Sequence, residues 1–250
     1  MNPYFEAAQA LAAGRNITVL TGAGISTASG IPDFRSQDGL YKQNLGLEDI
    51  LSEGMFQQDP VGFWNYYKDI FNIKLSQAYE PNQGHHYLRQ LELEGKTVNI
   101  FTQNVDGLHR KAGNTSVYEL HGTIEKAHCL SCRREFPLSY IQKEAVPECS
   151  HDSTILKPDV VLFGGAVKHM DRAYGITCQS DVFITLGTSL NVYPAKEIPR
   201  YIQHARNIVK IIINKEPTAS DYLFDIVLHE DISEALAKID AEYKKISALS

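Results

Sequence analysis

Four groups of residues in this 250-residue chain have types and spacings suited to chemistry. The first is Thr21-Gly22-Ala23-Gly24-Ile25-Ser26, which follows the apolar run Asn16-Ile17-Thr18-Val19-Leu20. Glycines let a backbone approach a phosphate closely, and a helix start just beyond offers free N–H groups and partial positive charge. The full dinucleotide fingerprint asks for a third small residue, where Thr27 stands, and for an acidic residue on a second strand about 20 positions on, which is missing. Alone, the turn suits a phosphate cradle and a plain strand-to-helix turn equally. The second group is Ile31-Pro32-Asp33-Phe34-Arg35-Ser36, which crowds a carboxylate, an aromatic ring and a guanidinium. Arg35 can grip phosphate with two hydrogen bonds and Phe34 can screen a reactive carbon from water. The plain alternative is an Asp33–Arg35 ion pair over a core Phe34. The third group is Cys129-x-x-Cys132 followed, after 16 residues, by Cys149, a spacing that begins a zinc ribbon. The fourth is His121 in Leu120-His121-Gly122, at an expected strand end, where sheet ligands gather. An imidazole titrates near working pH and suits a general base.

The elements that must position these groups can be read from patterning. A helix is expected over Tyr4–Ala13 and a buried strand over residues 16–20. Residues 31–80 are rich in aromatics and break the alternation, so they read as a helical insertion. A helix over Gly84–Glu94 and a strand over Thr97–Phe101 resume it. Residues 123–159 are polar and carry three cysteines and three prolines, and read as a second insertion. Apolar strands are expected at Val160–Phe163, Val182–Leu186, Ile208–Ile213 and Ile226–Leu228, with a last helix over Ile232–Ile246. Strands alternating with helices predict an α/β fold with a parallel sheet covered on both faces. Hydrophobic residues at 43%, charged residues at 22% and a net charge of −6 describe an ordinary globular protein without the basic face of a nucleic-acid binder. We read no signal peptide and no membrane span, which points to a cytoplasmic protein, and therefore to free or metal-bound thiols rather than disulfides. Cys178 stands apart and reads as a core residue.

Taken together, the motifs resemble the sirtuin family. Gly22-Ala23-Gly24-Ile25-Ser26 with Gly30-Ile31-Pro32-Asp33-Phe34-Arg35 looks like its signature. Agreeing in order and spacing are Thr102-Gln103-Asn104-Val105-Asp106-Gly107-Leu108-His109, Glu119-Leu120-His121-Gly122, Pro158-Asp159-Val160-Val161-Leu162-Phe163-Gly164, Gly187-Thr188-Ser189-Leu190-Asn191-Val192-Tyr193-Pro194 and Ile213-Asn214-Lys215.

The resemblance implies a Rossmann-like parallel sheet with a smaller module made of a helical insertion and a zinc-ribbon-like insertion. On it, residues 1–30, 81–122 and 160–250 form the NAD-binding domain, 31–80 the helical insertion and 123–159 the ribbon. It implies an NAD-dependent protein lysine deacylase: the acyl carbonyl oxygen of an acyl-lysine attacks C1′ of the nicotinamide ribose, nicotinamide leaves, and free lysine and O-acyl-ADP-ribose result. Carried over residue by residue, His121 is the catalytic base and Asn104 positions water or ribose. Gly22, Ala23, Gly24, Thr27, Asp33, Phe34, Arg35, Gln103, Val105 and Asp106 line the phosphates, ribose and nicotinamide. Gly187, Thr188, Ser189, Asn214, Lys215 and Asp231 hold the adenosine half. Val160, Phe163, Gly164, Asn191 and Val192 flank the acyl-lysine peptide, partly by pairing its backbone.

Three departures matter. Asp152 stands where the family has a fourth cysteine. The readings are that Cys129, Cys132, Cys149 and Asp152 bind a structural zinc, that His151 or His128 supplies the fourth ligand, or that the zinc is lost. Sirtuins that prefer succinyl groups carry a tyrosine and an arginine three apart; aligning on Trp64 puts Tyr67 and Ile70 there, which predicts neutral acyl groups. Gly165 replaces a glutamate beside the substrate groove. A protein ADP-ribosyltransferase on the same site and a non-catalytic NAD- or ADP-ribose-binding module are the competing functions, and oligomeric state is left open by the sequence.

Overall fold

In a computed structural model of the chain, residues 2–32, 46–71 and 78–248 are described. The strands are β1 (Asn16–Thr21), β2 (Thr97–Thr102), β3 (Ser116–Glu119), β4 (Gly122–His128), β5 (Glu135–Pro137), β6 (Lys157–Val160), β7 (Val182–Leu186), β8 (Val209–Ile213) and β9 (Ile226–Leu228). The helices are α1 (Pro3–Ala13), α2 (Leu47–Ile50), α3 (Glu53–Gln58), α4 (Pro60–Ile70), α5 (Gln83–Leu93), α6 (Leu108–Lys111), α7 (Leu138–Ile141), α8 (Met170–Thr177), α9 (Glu197–Tyr201) and α10 (Ile232–Ser247). A 3₁₀ segment, Ala23–Ser29, follows β1.

Six parallel strands form one sheet in the order β3-β2-β1-β7-β8-β9. Its central strands are buried on both faces: β7 is buried at every position and β1 at all but Asn16. That is why they read as continuous apolar runs rather than alternating ones. One face is covered by α1, α5 and α10, whose apolar stripes share a core with Ile17, Val19, Ile184 and Ile211. In α10 the buried residues Ile232, Ala235, Leu236, Ile239 and Tyr243 recur at helical spacing. The other face packs Leu20, Phe183 and Ile212 under Ala173, Ile198 and Ile202, from α8, α9 and the turn after it. Caps set the helix starts. Asn2 accepts from the Tyr4 N–H before Pro3, and Asn82 caps α5 in a reciprocal box with His85.

A second sheet, in the order β5-β4-β6, is antiparallel. With α2, α3 and α4 it encloses a separate core of Phe56, Phe63, Trp64, Tyr67, Phe136, Leu156 and Leu162. The Trp64 indole N–H donates to the Leu156 carbonyl at 2.8 Å, tying the helical insertion to the ribbon.

Two expectations need correcting. The strand expected at Val160–Phe163 as part of the parallel sheet is instead β6, at Lys157–Val160, an edge strand of the small sheet. Edge position tolerates Pro158, and the apolar residues after it serve the module core. Cys178 is exposed at the end of α8, not in the core.

Candidate active site and metal centre

Parallel register brings the strand ends level. Thr21 at the end of β1 lies opposite Thr102 of β2 and Leu186 of β7, and Thr102 lies opposite Glu119 of β3. The residues that follow, Gly22, Gln103, Leu120-His121 and Gly187-Thr188, therefore share one crest. Between β1 and β7 the strand order reverses, which is where open α/β sheets bind ligands. Two glycine turns interlock at that point. The Gly22 N–H donates to the Leu186 carbonyl at 3.0 Å and the Gly24 N–H to the Gly187 carbonyl at 2.9 Å. A Cβ on Gly187 would sit 2.5 Å from the Ile25 nitrogen, and its φ of +61° is left-handed. A side chain on Gly22 or Gly24 would meet Thr188 or Gly187 just as closely. Gln103 spans the crevice, donating from Nε2 to Thr188 Oγ1 at 3.0 Å.

His121 is half-buried, and its Nδ1 lies 3.0 Å from the Gln103 carbonyl. A carbonyl only accepts, so Nδ1 carries the proton and Nε2 holds the lone pair a base needs. Burial pulls its pKa below the usual histidine value, with the Gln103 hydrogen bond opposing, so the ring is neutral at neutral pH. Beside it, buried Asn104 donates from Nδ2 to Ser26 Oγ at 3.1 Å, and Ser26 donates to Asp106 Oδ2 at 2.7 Å. The Leu108 N–H holds the other Asp106 oxygen at 3.0 Å. Burial raises the Asp106 pKa above the usual carboxylate value, and these hydrogen bonds offset only part of the rise. Ser26 is the residue that sequence reading missed as a site member. Its signal was a polar side chain just past the glycine turn, which the structure buries completely.

The cysteine module holds two similar knuckles. The Cys129 N–H donates to the Arg134 carbonyl at 2.9 Å, with Arg133 at φ +61°; the Cys149 N–H donates to the Thr154 carbonyl at 2.8 Å, with Ser153 at φ +57°. Cys132 and Asp152 occupy the same third position after their leading cysteines. The four donor atoms of Cys129, Cys132, Cys149 and Asp152 lie within 4.8 Å of one another, with Cys132 and Cys149 Sγ 3.6 Å apart and Cys129 Sγ 3.5 Å from Asp152 Oδ1. Three sulfurs and a carboxylate converging at this range supply the four protein donors that a structural zinc takes. Neither His128 nor His151 belongs to the group.

The Sir2 family pattern matches residues 22–194, from the first glycine turn through the turn after β7. NAD-dependent protein deacetylase 2 of Geobacillus kaustophilus is 47% identical over 96% of this chain and 97% of its own length. The chain belongs to the Sir2 family. The NAD-dependent protein deacetylase of Bacillus subtilis is 46% identical over 88% of the chain and 92% of its own length. Among solved structures, a Sir2–p53 peptide–NAD⁺ complex is 30% identical with a TM-score of 0.82, covering 98% of both chains. An ADP-ribose complex of a Sir2 homologue carrying a point mutation is 31% identical with a TM-score of 0.89 and the same coverage.

The remaining Sir2 positions distribute around the crest. Ala23 is half-buried, and exposed Thr27 turns its hydroxyl back to the Gly24 carbonyl at 3.0 Å. Half-buried Val105 packs against the module core. Ser189 is half-buried beside Thr188. At the end of β8, Asn214 donates to the Glu216 carbonyl at 2.6 Å, and Lys215 is exposed next to it. Asp231 caps α10 by accepting from the Ser233 and Glu234 N–H groups. Val160 is buried, Asn191 exposed and Val192 half-buried. Phe163 is 40% exposed, and its own N–H and carbonyl are paired to Leu51 and Glu53. The Gly164 position opens to free space. Asp33, Phe34 and Arg35 lie outside the described residues.

Proposed function

We propose that this Sir2 chain is an NAD-dependent protein-lysine deacetylase in which His121 is the base and the crest from Gly22 to Thr188 holds the dinucleotide. The observation that carries the reading is the tautomer of His121: one ring nitrogen is committed to the Gln103 carbonyl, which leaves the other free to take a proton. NAD⁺ bound at the crest supplies an electrophilic ribose carbon with nicotinamide as its leaving group. Gly22, Ala23, Gly24 and Thr27 would cradle phosphate. Asp106 and the Val105 backbone would hold the carboxamide, and Gln103 and Asn104 the ribose. Gly187, Thr188, Ser189, Asn214, Lys215 and Asp231 would hold the adenosine half. Asp33, Phe34 and Arg35 complete this set in the same reading. His121 Nε2 would take a proton from a ribose hydroxyl of the bound dinucleotide.

An acyl-lysine peptide enters beside Val160, Phe163, Gly164, Asn191 and Val192. Ile70 offers no charge to an acidic acyl group, and Tyr67 is packed among Phe63, Trp64 and Phe71, so acetyl is favoured over succinyl. The division into residues 1–30, 81–122 and 160–250 for NAD, with insertions at 31–80 and 123–159, belongs to the same proposal. So does a structural zinc at Cys129, Cys132, Cys149 and Asp152, which would fix the ribbon and take no part in the chemistry.

Mass spectrometry of products from NAD⁺ with acetyl-lysine and succinyl-lysine peptides tests the reading. Free lysine together with O-acetyl-ADP-ribose, formed faster than the succinyl product, is expected. A peptide that gains ADP-ribose and keeps its acetyl group would overturn it in favour of ADP-ribosyl transfer.

A further inference from the structure

We propose that Glu53, held by Lys157, is a positioning residue for peptide binding; the inference rests on the deacetylase reading above. Two consecutive glycines, Gly164 and Gly165, form the lip of the proposed groove. Such a pair is conformationally permissive, and ordering it when a peptide binds would cost affinity. The structure holds the lip from both sides.

On one side Phe163 is stitched to the helical insertion. Its N–H donates to the Leu51 carbonyl at 2.8 Å, its carbonyl accepts from the Glu53 N–H at 3.0 Å, and Ser52 pairs with it in parallel. On the other side, the Gly165 N–H donates to the Leu162 carbonyl at 2.8 Å, and the Glu53 carboxylate presses on Gly165. A Cβ at position 165 would lie 3.2 Å from Glu53 Oε1, 3.0 Å from the Leu162 oxygen and 3.3 Å from Val161 Cγ1. Glu53 thus borders the place that a side chain at 165 would take, and a longer side chain there would have to displace it. Both its oxygens are bound by Lys157 Nζ, at 2.6 and 2.7 Å, and Lys157 belongs to β6. The pair is shielded, with side-chain exposures of 27% for Glu53 and 18% for Lys157, so solvent screens it less than a surface pair. Between these anchors Gly164, at φ +90°, has open space where a side chain would be. One carboxylate from the first turn of α3 therefore links the helical insertion, the ribbon sheet and the groove lip.

Steady-state kinetics with an acetyl-lysine peptide and NAD⁺ test this. Glu53→Gln keeps the shape and removes the charge. It should raise the peptide KM about fivefold while leaving kcat and the NAD⁺ KM within about twofold. Gly165→Glu should raise the peptide KM further, because the new carboxylate meets Glu53. Adding Glu53→Ala to it should bring the peptide KM back to within about threefold of wild type, a coupling that independent sites do not show. An unchanged peptide KM in Glu53→Gln, an equal rise in both KM values, or additive effects in the double variant would each overturn the clamp. If the wild-type protein does not deacetylate, the functional reading falls on its own. The clamp is then judged by thermal melting of the same Gly165→Glu and Glu53→Ala set, where compensation supports it and additivity overturns it.

Discussion

The glycine crest and the cysteine module solve the same problem, holding irregular backbone in place, by different means. At the crest, the parallel ladder does the work. Once β1, β2, β3 and β7 pair in register, Gly22, Gln103, His121 and Thr188 arrive together, and interlocking glycines and main-chain hydrogen bonds fix them. In the module β5 and β6 are short, and the described sheet has three strands. There, four side-chain donors converge where backbone pairing is sparse. The crest should thus be sensitive to any added atom and indifferent to metal, whereas the cysteine end of the module should depend on metal.

The largest effect expected from this contrast is in the module. Elemental analysis of purified wild-type protein should give one equivalent of zinc; Cys149→Ser should abolish it and lower stability by several kcal/mol, because structural zinc binding is folding free energy. Full zinc content in the variant would remove Cys149 from the ligand set. Next comes Gly187→Ala. The new methyl meets backbone at 2.5 Å in a left-handed residue, so a loss of about 2–4 kcal/mol in chemical denaturation is expected, with zinc retained. A loss of metal instead would show that the two regions are not separable.

A smaller effect concerns pH. His85 and His109 lie buried beneath the crest with ring centroids 4.8 Å apart, and His109 Nε2 contacts Thr21 Oγ1 at 3.0 Å. Burial, reinforced by neighbouring His86, draws His85 down to about 4, and burial with His85 beside it draws His109 well below the ordinary value. Below pH 6.5 the unfolded chain therefore binds more protons than the folded one. The stability these rings contribute is complete above that pH and declines as pH falls toward about 4. Urea midpoints at pH 7.5 and 5 should separate in wild type and draw closer in His85→Asn; an unchanged separation would exclude His85. Smallest is Ser26→Ala, which cuts the link between Asn104 and Asp106. It should lower kcat/KM about tenfold, some 1.4 kcal/mol, with little change in melting temperature.

The same contrast explains what could be read from the sequence. β1, β2 and β7 were legible to within one residue because burial makes each a short apolar-rich run, and the motif residues at their ends followed. The apolar run at Val160–Phe163 misled, because hydrophobicity reports burial without saying against which core: Val160 ends a strand of the small sheet and Leu162 packs in the module. Ser26 stands in the glycine-turn motif but draws no role there, because the partners of a hydroxyl cannot be read from its sequence neighbours. Its role comes from Asn104 and Asp106, which lie far from it in sequence and are brought to it by the fold. That Asp152, and neither His128 nor His151, stands with the three cysteines follows from the two matching knuckles, a geometry that cysteine spacing alone does not contain.

Nicotinamide release from NAD⁺ in the presence of an acetyl-lysine peptide, by wild type and by His121→Ala at matched zinc content, bears most directly on the account. Because the lowered pKa keeps His121 neutral, the wild-type rate should hold from pH 8 down to about 6.5 and fall only below it, while the variant should lose at least about 100-fold throughout. A variant that deacetylates at the wild-type rate would contradict the assignment of the base.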